Sequence, residues 1–255
     1  MSSFLRGVCV LAFAFGVFCS ANAQNFQGIY VGGYAGGIQG NSDAHTFTVF
    51  SPVGYFAQSS VPAIATVGNQ HIKPNSFSGG GTFGFNLQHH ALVVGAEMDF
   101  GSMSMSASKT GSATYPCCAP TAFTVTQTVS TDWLFTGRGR LGFAAGNFLL
   151  YGTGGLAATN LNYQALFTDT FATAHENAGV EEKRKGWIAG AGVEVRVSHH
   201  WSIKGEFLHA DFGQVQTTST NMTAFTPPIA FPQNPFTHNA DLTAHMFRGG
   251  LNFRF

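Results

Sequence analysis

Charged side chains recur at every second position within the most apolar stretches of the chain. Glu194 and Arg196, for example, alternate with Val193, Val195 and Val197. This two-residue period predicts β-strands that have one charged face and one apolar face. The alternating charged residues are Glu97, Asp99, Arg138, Arg140, Glu194, Arg196, Lys204, Glu206, Arg248 and Arg254.

The charged set indicates ion pairing in an enclosed space. Six of its members are basic and four are acidic. Because an unpaired buried charge is costly, we expect these side chains to form a salt-bridged network that replaces an apolar core. The alternative is a narrow, gated ion path. The surplus of two cations would be offset by water, by Asp211 or by a weak preference for anions.

Histidines offer weaker candidates for chemistry. The adjacent pairs at 89–90 and 199–200 could bind zinc, nickel or copper, but they lie in different predicted turns and are interpreted as exposed turn residues. His209, Asp211 and His245 are the nearest candidates for catalysis, yet no serine stands beside His209. We therefore predict no catalytic residue, no metal site and no cofactor, and we expect that the protein is not an enzyme.

Cys117 and Cys118 are the only cysteines that follow the N-terminal leader described below. In an oxidising compartment they could form a vicinal disulfide, remain thiols or be oxidised by a partner. Two adjacent cysteines cannot complete a four-ligand metal site alone. The favoured interpretation is a disulfide that stiffens a loop.

The elements that carry these residues are eight predicted strands of about 9–12 residues, the length that a tilted strand needs to cross a bilayer. The last has Phe247, Leu251, Phe253 and Phe255 on one face. Another strand breaks phase near His209 and Asp211, which predicts a bulge or an exit from the membrane. The predicted strands are residues 29–37, 77–87, 92–100, 133–143, 148–157, 186–197, 201–212 and 245–255.

The connections between the strands alternate in length. Short connections span residues 88–91, 144–147 and 198–200, and long ones span 38–76, 101–132, 158–185 and 213–244. Outer-membrane barrels have short periplasmic turns and longer outer loops. The pattern predicts an all-β fold, an eight-stranded antiparallel up-and-down transmembrane β-barrel with four long, mobile extracellular loops.

The N-terminal residues indicate export. Arg6 precedes an apolar run over residues 8–18 and a small-residue cleavage site at 21–23, which predicts a signal peptide over 1–23 and a barrel domain over 24–255. Charged residues make up only 9% of the chain, against about 25% in soluble domains. The formal net charge is +0, which gives no indication of a nucleic-acid partner.

The long connections carry the candidates for interaction. Residues 224–236 combine prolines with phenylalanines, so the loop could contact a surface ligand or a neighbouring barrel, or fold over the others as a lid. Lys183, Arg184 and Lys185 precede Trp187 at the predicted outer rim. They are candidate contacts for lipopolysaccharide phosphates, with a solvated strand entry as the alternative.

Several segments resemble small alphaproteobacterial outer-membrane β-barrel proteins, which include porin-like and opacity-type surface antigens. They are residues 30–37, 186–194, 204–213 and 248–255. The resemblance implies roles in envelope integrity, adhesion and, in some members, haemin binding. It also implies that Phe253 and Phe255 form a signal read by the barrel assembly machinery. No periplasmic peptidoglycan-binding domain is expected after the last strand.

These observations favour a surface barrel of the cell outer membrane that supports the envelope and interacts through its loops. A small, low-conductance porin is the alternative, and a lipid A-modifying enzyme is the third possibility. The expected partners are outer-membrane lipid and lipopolysaccharide, the assembly machinery and a host or surface ligand. We expect a monomer.

Overall fold

A computed structural model describes residues 25–255 and consists almost entirely of antiparallel strands. The expected signal peptide over 1–23 and its junction with Gln24 lie outside the described residues. The elements are β1 (Gly28–Thr48), α1 (Ser60–Gly68), β2 (Gln70–Ile72), β3 (Asn75–His89), β4 (Leu92–Thr114), β5 (Ala122–Ala145), β6 (Phe148–Asp169), β7 (His175–Arg196), β8 (Trp201–Ser219), β9 (Thr223–Ala224), β10 (Ile229–Ala230) and β11 (Phe236–Arg254).

Eight long strands close into a ring. They are β1, β3, β4, β5, β6, β7, β8 and β11, and each pairs in antiparallel fashion with its two neighbours. The last strand pairs with the first from Tyr30↔Arg254 to Thr48↔Phe236, which closes the barrel. The eight-stranded up-and-down barrel predicted from the sequence is therefore confirmed. Within residues 25–255, no helix is long and apolar enough to span a membrane.

The strands extend far beyond the predicted membrane segments. β4 and β5 stay paired from Leu92↔Phe143 to Thr114↔Ala122, although residues 101–132 were predicted to form a long loop. The long connections are therefore shorter than predicted, because most of residues 101–132, 158–185 and 213–244 forms strands. These segments keep the two-residue period but exchange the character of the two faces.

The exchange divides the barrel into two parts. In the membrane half, which contains residues 92–100 of β4, most outward side chains are apolar and the inward ones include the charged, polar and aromatic residues. In the outer half, which contains residues 102–114 of β4, Ser104 and Ser106 face outward while Met103 and Met105 are buried inside. A strand whose outer face is polar and whose inner face is apolar is the pattern of a soluble sheet.

β8 keeps its phase as far as Phe212 and changes it at Gly213, because the next buried side chain is Val215. Phe207, His209 and Asp211 all lie on its outward side, and Leu208, Ala210 and Phe212 are buried. The register shifts at the same level, because Asp241 and Thr243 of β11 pair with Gln214 and Asp211, so that the extra residue lies in β8. The predicted bulge is therefore present just beyond Asp211, where Gly213 has a φ of 68°, at the point where β8 leaves the membrane half.

β7 and β8 diverge above the membrane half. Their backbone pairing runs from Arg196↔Ser202 to Trp187↔Asp211 and stops there. Gly186 lies at the fork, where a Cβ atom would collide with the carbonyl oxygen of Asp211. Above the fork, Arg184 Nε donates to the Phe212 carbonyl over 3.3 Å, and side chains bridge the gap. We call this gap the seam.

Candidate functional site

The lumen of the membrane half contains a buried ion-pair network centred on Arg138. Its guanidinium lies 2.8 Å from Asp99 and 3.5 Å from Glu206, and it also bonds Glu97. Arg248 contacts the same Asp99 and Glu206 at 2.6 and 2.8 Å. Four strands supply these residues, so the network ties opposite sides of the wall together.

A second group of pairs lies nearer the chain termini. Glu194 accepts bonds from Arg140 at 2.8 Å, from Arg254 at 3.1 Å and from the Ser202 hydroxyl at 2.6 Å. Lys204 lies between the two groups, 2.9 Å from Glu97 and 3.6 Å from Glu206. Its side chain has 1% relative exposure, so the ammonium group is held almost entirely by protein atoms.

Arg196 was predicted to belong to this network, and that prediction is wrong. Its guanidinium donates to the carbonyl oxygens of Asn25 and His199 at the periplasmic end, where β7 terminates. Asp211, a suggested counter-charge, lies on the outward side and accepts a bond from the Gly213 amide. The network therefore contains five basic and four acidic side chains, with an excess of one cation.

Three tyrosines complete the network and were not predicted. Tyr30 donates to Glu97 over 2.7 Å, and Tyr151 donates to Glu206 over the same distance. The Arg140 guanidinium lies 3.9 Å from the centre of the Tyr151 ring, and that of Arg248 lies 4.3 Å from the centre of Tyr34. All three occupy inward positions, so the period that identified the charges could also have identified them.

The periplasmic end of the lumen is closed by apolar packing. Phe26 is fully buried and belongs to a cluster with Val93, Ala144, Leu149 and Tyr151. Its amide donates to Gln88 Oε1 over 2.6 Å. The segment before β1 therefore folds under the charge network and covers it.

The outer half of the lumen is filled by an apolar core. Met103, Met105, Leu134, Leu161 and Leu242 are among the side chains that are essentially fully buried there. With the charge network below it, this core leaves a lumen packed with side chains, as expected for a ring of eight strands.

A buried polar cluster crosses the outer half above the apolar core. His238 Nδ1 lies 2.8 Å from the Thr46 hydroxyl and Nε2 lies 3.3 Å from Glu176, which also accepts a bond from Ser219 across the seam. Tyr163 donates to Gln127, whose amide donates to the Gly68 carbonyl at the end of α1. The cluster was not predicted, because its members are isolated along the sequence.

The outermost residues form a cap. α1 packs with Phe56, Tyr115, Phe123, Phe167 and Phe236 in one apolar cluster. The hydroxyls of Tyr55 and Tyr115 both donate to Asp169, over 2.6 and 2.9 Å. Burial, reinforced by the Asp169 carboxylate, raises the pKa of both tyrosines, so both remain protonated donors.

The cap also contains the two cysteines. Cys117 and Cys118 are joined by a disulfide bond, and Cys118 packs against the apolar cluster of the cap. The Ser60 hydroxyl, at the start of α1, lies 3.6 Å from the Cys117 sulfur. The vicinal pair thus lies where the turn between β4 and β5 meets the helix.

The remaining predicted residues lie on the outer surface of the wall. Lys183 and Lys185 are exposed on β7, just beyond Trp187, whereas Arg184 turns into the seam. Phe255 is exposed at the periplasmic edge, 5.3 Å from the ring of Phe253. The His89 and His90 rings lie 4.3 Å apart in the turn between β3 and β4. Among the described residues, no group of three His, Cys, Asp or Glu side chains is arranged to hold a metal ion.

The closed ring and its apolar girdle define a β-barrel protein of the cell outer membrane. The chain belongs to the outer membrane protein beta-barrel domain family, whose model matches residues 9–255. It is similar to the 31 kDa outer-membrane immunogenic protein of Brucella melitensis biotype 1, with 27% identity over 231 residues that cover 89% of this chain and 84% of that protein. The protein of the same name in Brucella suis biovar 1 matches to the same extent.

Solved structures of outer-membrane proteins match this chain with low sequence identity and low TM-scores. The Yersinia pestis attachment invasion locus protein Ail is 9% identical, covers 88% of this chain and 99% of its own, and has a TM-score of 0.34. Neisserial surface protein A is 11% identical, with coverage of 91% and 100% and a TM-score of 0.36. The Escherichia coli outer-membrane protease OmpT is 8% identical, with coverage of 93% and 99% and a TM-score of 0.44.

Proposed function

We propose that this protein is a sealed surface barrel that supports the envelope with its wall and contacts external ligands with its cap. The observation that carries the proposal is the filled interior. Phe26, the ion-pair network, the apolar core and the Glu176–His238 cluster succeed one another along the lumen. Pore conduction would require that several of these layers separate at once.

Conductance tests the sealed lumen. Purified barrel in planar bilayers should give no steady current. The Arg138→Ala variant should leak if the loss of this arginine loosens the ion-pair network. Reproducible, salt-dependent current steps from the unmodified protein would favour the low-conductance porin instead.

The cap presents an apolar surface that suits contact with a ligand. The rings of Phe171, Phe225 and Phe231 lie 6.1, 6.2 and 5.3 Å from the ring of Tyr55. Phe171 and Phe225 are 53% and 44% exposed, and Val53 is 74% exposed. Exposed apolar patches of this kind mark interaction sites more often than scattered apolar residues do.

Cell-surface binding tests this role. Cells that display the Phe171→Ser/Phe225→Ser variant should adhere less to a panel of host matrix proteins and haemin-coated surfaces than cells with the unmodified barrel. Phe47→Ser is the matched control, because Phe47 is exposed on the side wall of β1. Equal adhesion by all three would contradict a role for the cap.

The role in envelope support can be separated from the role of the cap. A deletion strain should become sensitive to detergent and to large antibiotics. Complementation by the Phe171→Ser/Phe225→Ser variant should restore resistance if the wall alone supports the envelope. A deletion strain with unchanged resistance would remove this part of the proposal.

Lys183 and Lys185 are proposed contacts for lipopolysaccharide phosphates, supported by their exposure beside Trp187 at the outer rim. Lys183→Ala/Lys185→Ala should reduce co-purified lipopolysaccharide. Lys109→Ala is the control, because Lys109 is an exposed cation on β4. An equal reduction in both variants would indicate a general effect of charge.

Phe253 and Phe255 are proposed to carry the assembly signal. The Phe253 ring packs 5.1 Å from Trp201, and the Phe255 amide donates to the Ile29 carbonyl over 3.1 Å. Phe255→Ser should lower the amount of barrel in the outer membrane but leave refolding from urea into detergent unchanged. Equal impairment of both processes would indicate a purely structural role.

We expect the assembled protein to be a monomer, as measured by light scattering in detergent.

A further inference from the structure

Two histidines face each other on the outward surface where the membrane half meets the outer half. His209 of β8 and His245 of β11 are directly opposed cross-strand partners. Their rings are 4.7 Å apart, and their Nδ1 atoms are separated by 3.4 Å. Both side chains are half-buried, so solvent reaches the pair from outside the barrel.

We propose that this pair binds a divalent transition-metal cation of the zinc and copper class through the two Nδ1 atoms. Zinc–imidazole bonds are about 2.0–2.1 Å long, so two nitrogens on a tetrahedral ion are about 3.3 Å apart. The observed 3.4 Å is therefore close to the bite that such an ion requires. Two antiparallel strands hold both rings at this distance without any loop.

The surroundings keep both rings in place. The His209 ring lies 5.1 Å from Trp187, and the His245 ring stacks on Phe207 at 5.9 Å with an interplanar angle of 15°. Orientation of the imidazole by its neighbours reduces the entropy lost when a ligand binds. Trp187 and Phe207 thus hold the two imidazole rings in position.

The two imidazoles differ from the histidines that are paired with carboxylates. His71 and His238 lie 2.6 and 3.3 Å from Asp43 and Glu176, respectively. His209 and His245 are instead polar partners of each other. A close N···N approach is stable when one nitrogen donates a proton to the other or when both bind a cation. In both states the two Nδ1 atoms lie close together.

Nearby carboxylates favour a cation at this surface. Asp211 is two residues beyond His209 on the same outward side of β8, and Asp241 and Asp43 lie further out on β11 and β1. Burial raises the pKa of Asp241, and the negative charges of Asp43 and Asp211 raise it further. His71 pairs with Asp43 and Arg184 lies across the seam, so the acidic charge is only partly neutralised.

Two protein ligands define the kind of site. Because no third His, Cys, Asp or Glu joins the pair among the described residues, water completes the coordination shell. The site is therefore open and exchangeable. It differs from a structural zinc centre, which closes the metal within four protein ligands.

Copper quenching of Trp187 fluorescence tests the proposal, because the indole lies beside His209. The barrel is purified in detergent without a polyhistidine tag and titrated with Cu²⁺. We expect saturable quenching that disappears in Trp187→Phe, which leaves the other two of the three tryptophans as background. In His245→Ala the midpoint should rise at least about tenfold, since even the loss of a group that only supports a ligand costs 10- to 100-fold in affinity.

Two controls make the outcome decisive. His89→Ala/His90→Ala removes the other close ring pair and should leave the midpoint unchanged. His245→Gln keeps a polar side chain of similar size, and the gel shift between unboiled and boiled samples verifies that each variant is folded. The proposal is overturned if a folded His245→Gln or His245→Ala variant keeps the wild-type midpoint, or if the saturable signal persists in Trp187→Phe.

Discussion

The two halves of this barrel solve opposite packing problems with the same long strands, except that β3 ends near the boundary between them. In the membrane half, apolar side chains such as Met98 face lipid while Arg138 and Glu97 are buried inside. In the outer half, hydroxyl side chains such as Ser106 face water while Met105 and Leu161 fill the interior. The two-residue period is the same in both halves. The halves differ in whether the apolar face of the strands points outward to lipid or inward, away from water.

The comparison shows what each interior depends on. The inner charges are stabilised by one another, because lipid offers them no alternative partner. The outer core is stabilised by the removal of apolar surface from water, as in a soluble protein. Loss of one side chain should therefore have a different physical cause in each half.

The largest effect is expected from Arg138→Met. It leaves Glu97, Asp99 and Glu206 short of a counter-charge, and breaking a buried ion pair costs roughly 3–5 kcal/mol. The free energy of unfolding in urea, measured on barrels in lipid vesicles, should fall by that amount. Arg196→Met is the matched control and should change little, because Arg196 bonds carbonyl oxygens at the periplasmic edge. Equal losses in the two variants would remove the special role of the network.

Leu161→Ala tests the outer core. Truncation of a fully buried leucine costs roughly 2–5 kcal/mol, through lost transfer energy and the cavity that remains. Leu156→Ala on the same strand is the control, because Leu156 is 73% exposed on the lipid-facing side. The same urea titration should show the smaller loss for Leu156→Ala. The reverse order would mean that the outer half is loosely packed.

Arginine substitutions on the outward face of β4 test the boundary between the halves. Met98→Arg should cost roughly 2–4 kcal/mol, because the new charge faces the bilayer interior. Ser106→Arg, eight residues further along, should change stability by less than about 0.5 kcal/mol, because its side chain faces water. Similar costs at the two positions would place the membrane boundary elsewhere on the wall.

The smallest effect is expected from Cys117→Ser/Cys118→Ser. The disulfide joins residues with a sequence separation of 1, so it closes almost no loop and restricts the unfolded chain little. The shift in the free energy of unfolding should be below about 1 kcal/mol. The control is the single variant Cys117→Ser, which also lacks the disulfide but keeps the free thiol of Cys118. A large loss in the double variant would show that the cap depends on this bond.

Most of the ring could be predicted from the sequence. Alternating charges in apolar strands, together with short turns such as 88–91, determine strand number, direction and the inward face. These features are local, so a single sequence reveals them. The inward position of Arg138 and Arg140 followed from the same period.

The outer half was harder to predict because its pattern resembles a loop. Residues 102–114 alternate Ser or Thr with Met, Ala, Gly and a single Lys, so no recurring charge and no large aromatic residue marks the inner face. Recognition of the strand requires the partner segment 122–131, which supplies Val125 and Val129 on the matching side. Long-range pairing of this kind leaves little trace in either segment alone.

The individual contacts could not be predicted at all. Arg196 has the period of a lumen residue, yet it lies one step beyond the end of the network, where the backbone of Asn25 is the nearer partner. Glu176 and His238 are 62 residues apart and meet only because both are buried side chains of β7 and β11, the two strands that flank β8. The opposition of His209 and His245 depends in the same way on the register between β8 and β11.

The seam gives the outer cylinder a different topology from the membrane ring. Below Trp187 and Asp211 the backbone ladder is continuous, whereas above them β7 and β8 are linked by side chains, through Ser219 to Glu176 and Asn221 to Asn177. The backbone ladder of the outer half is therefore open at the seam, where β7 pairs with β9 only at His175, and again beside β4, whose pairing with β3 ends at Gly101. Amide protons along these open edges can exchange with solvent by the rupture of a few side-chain bonds, while the ring below remains intact.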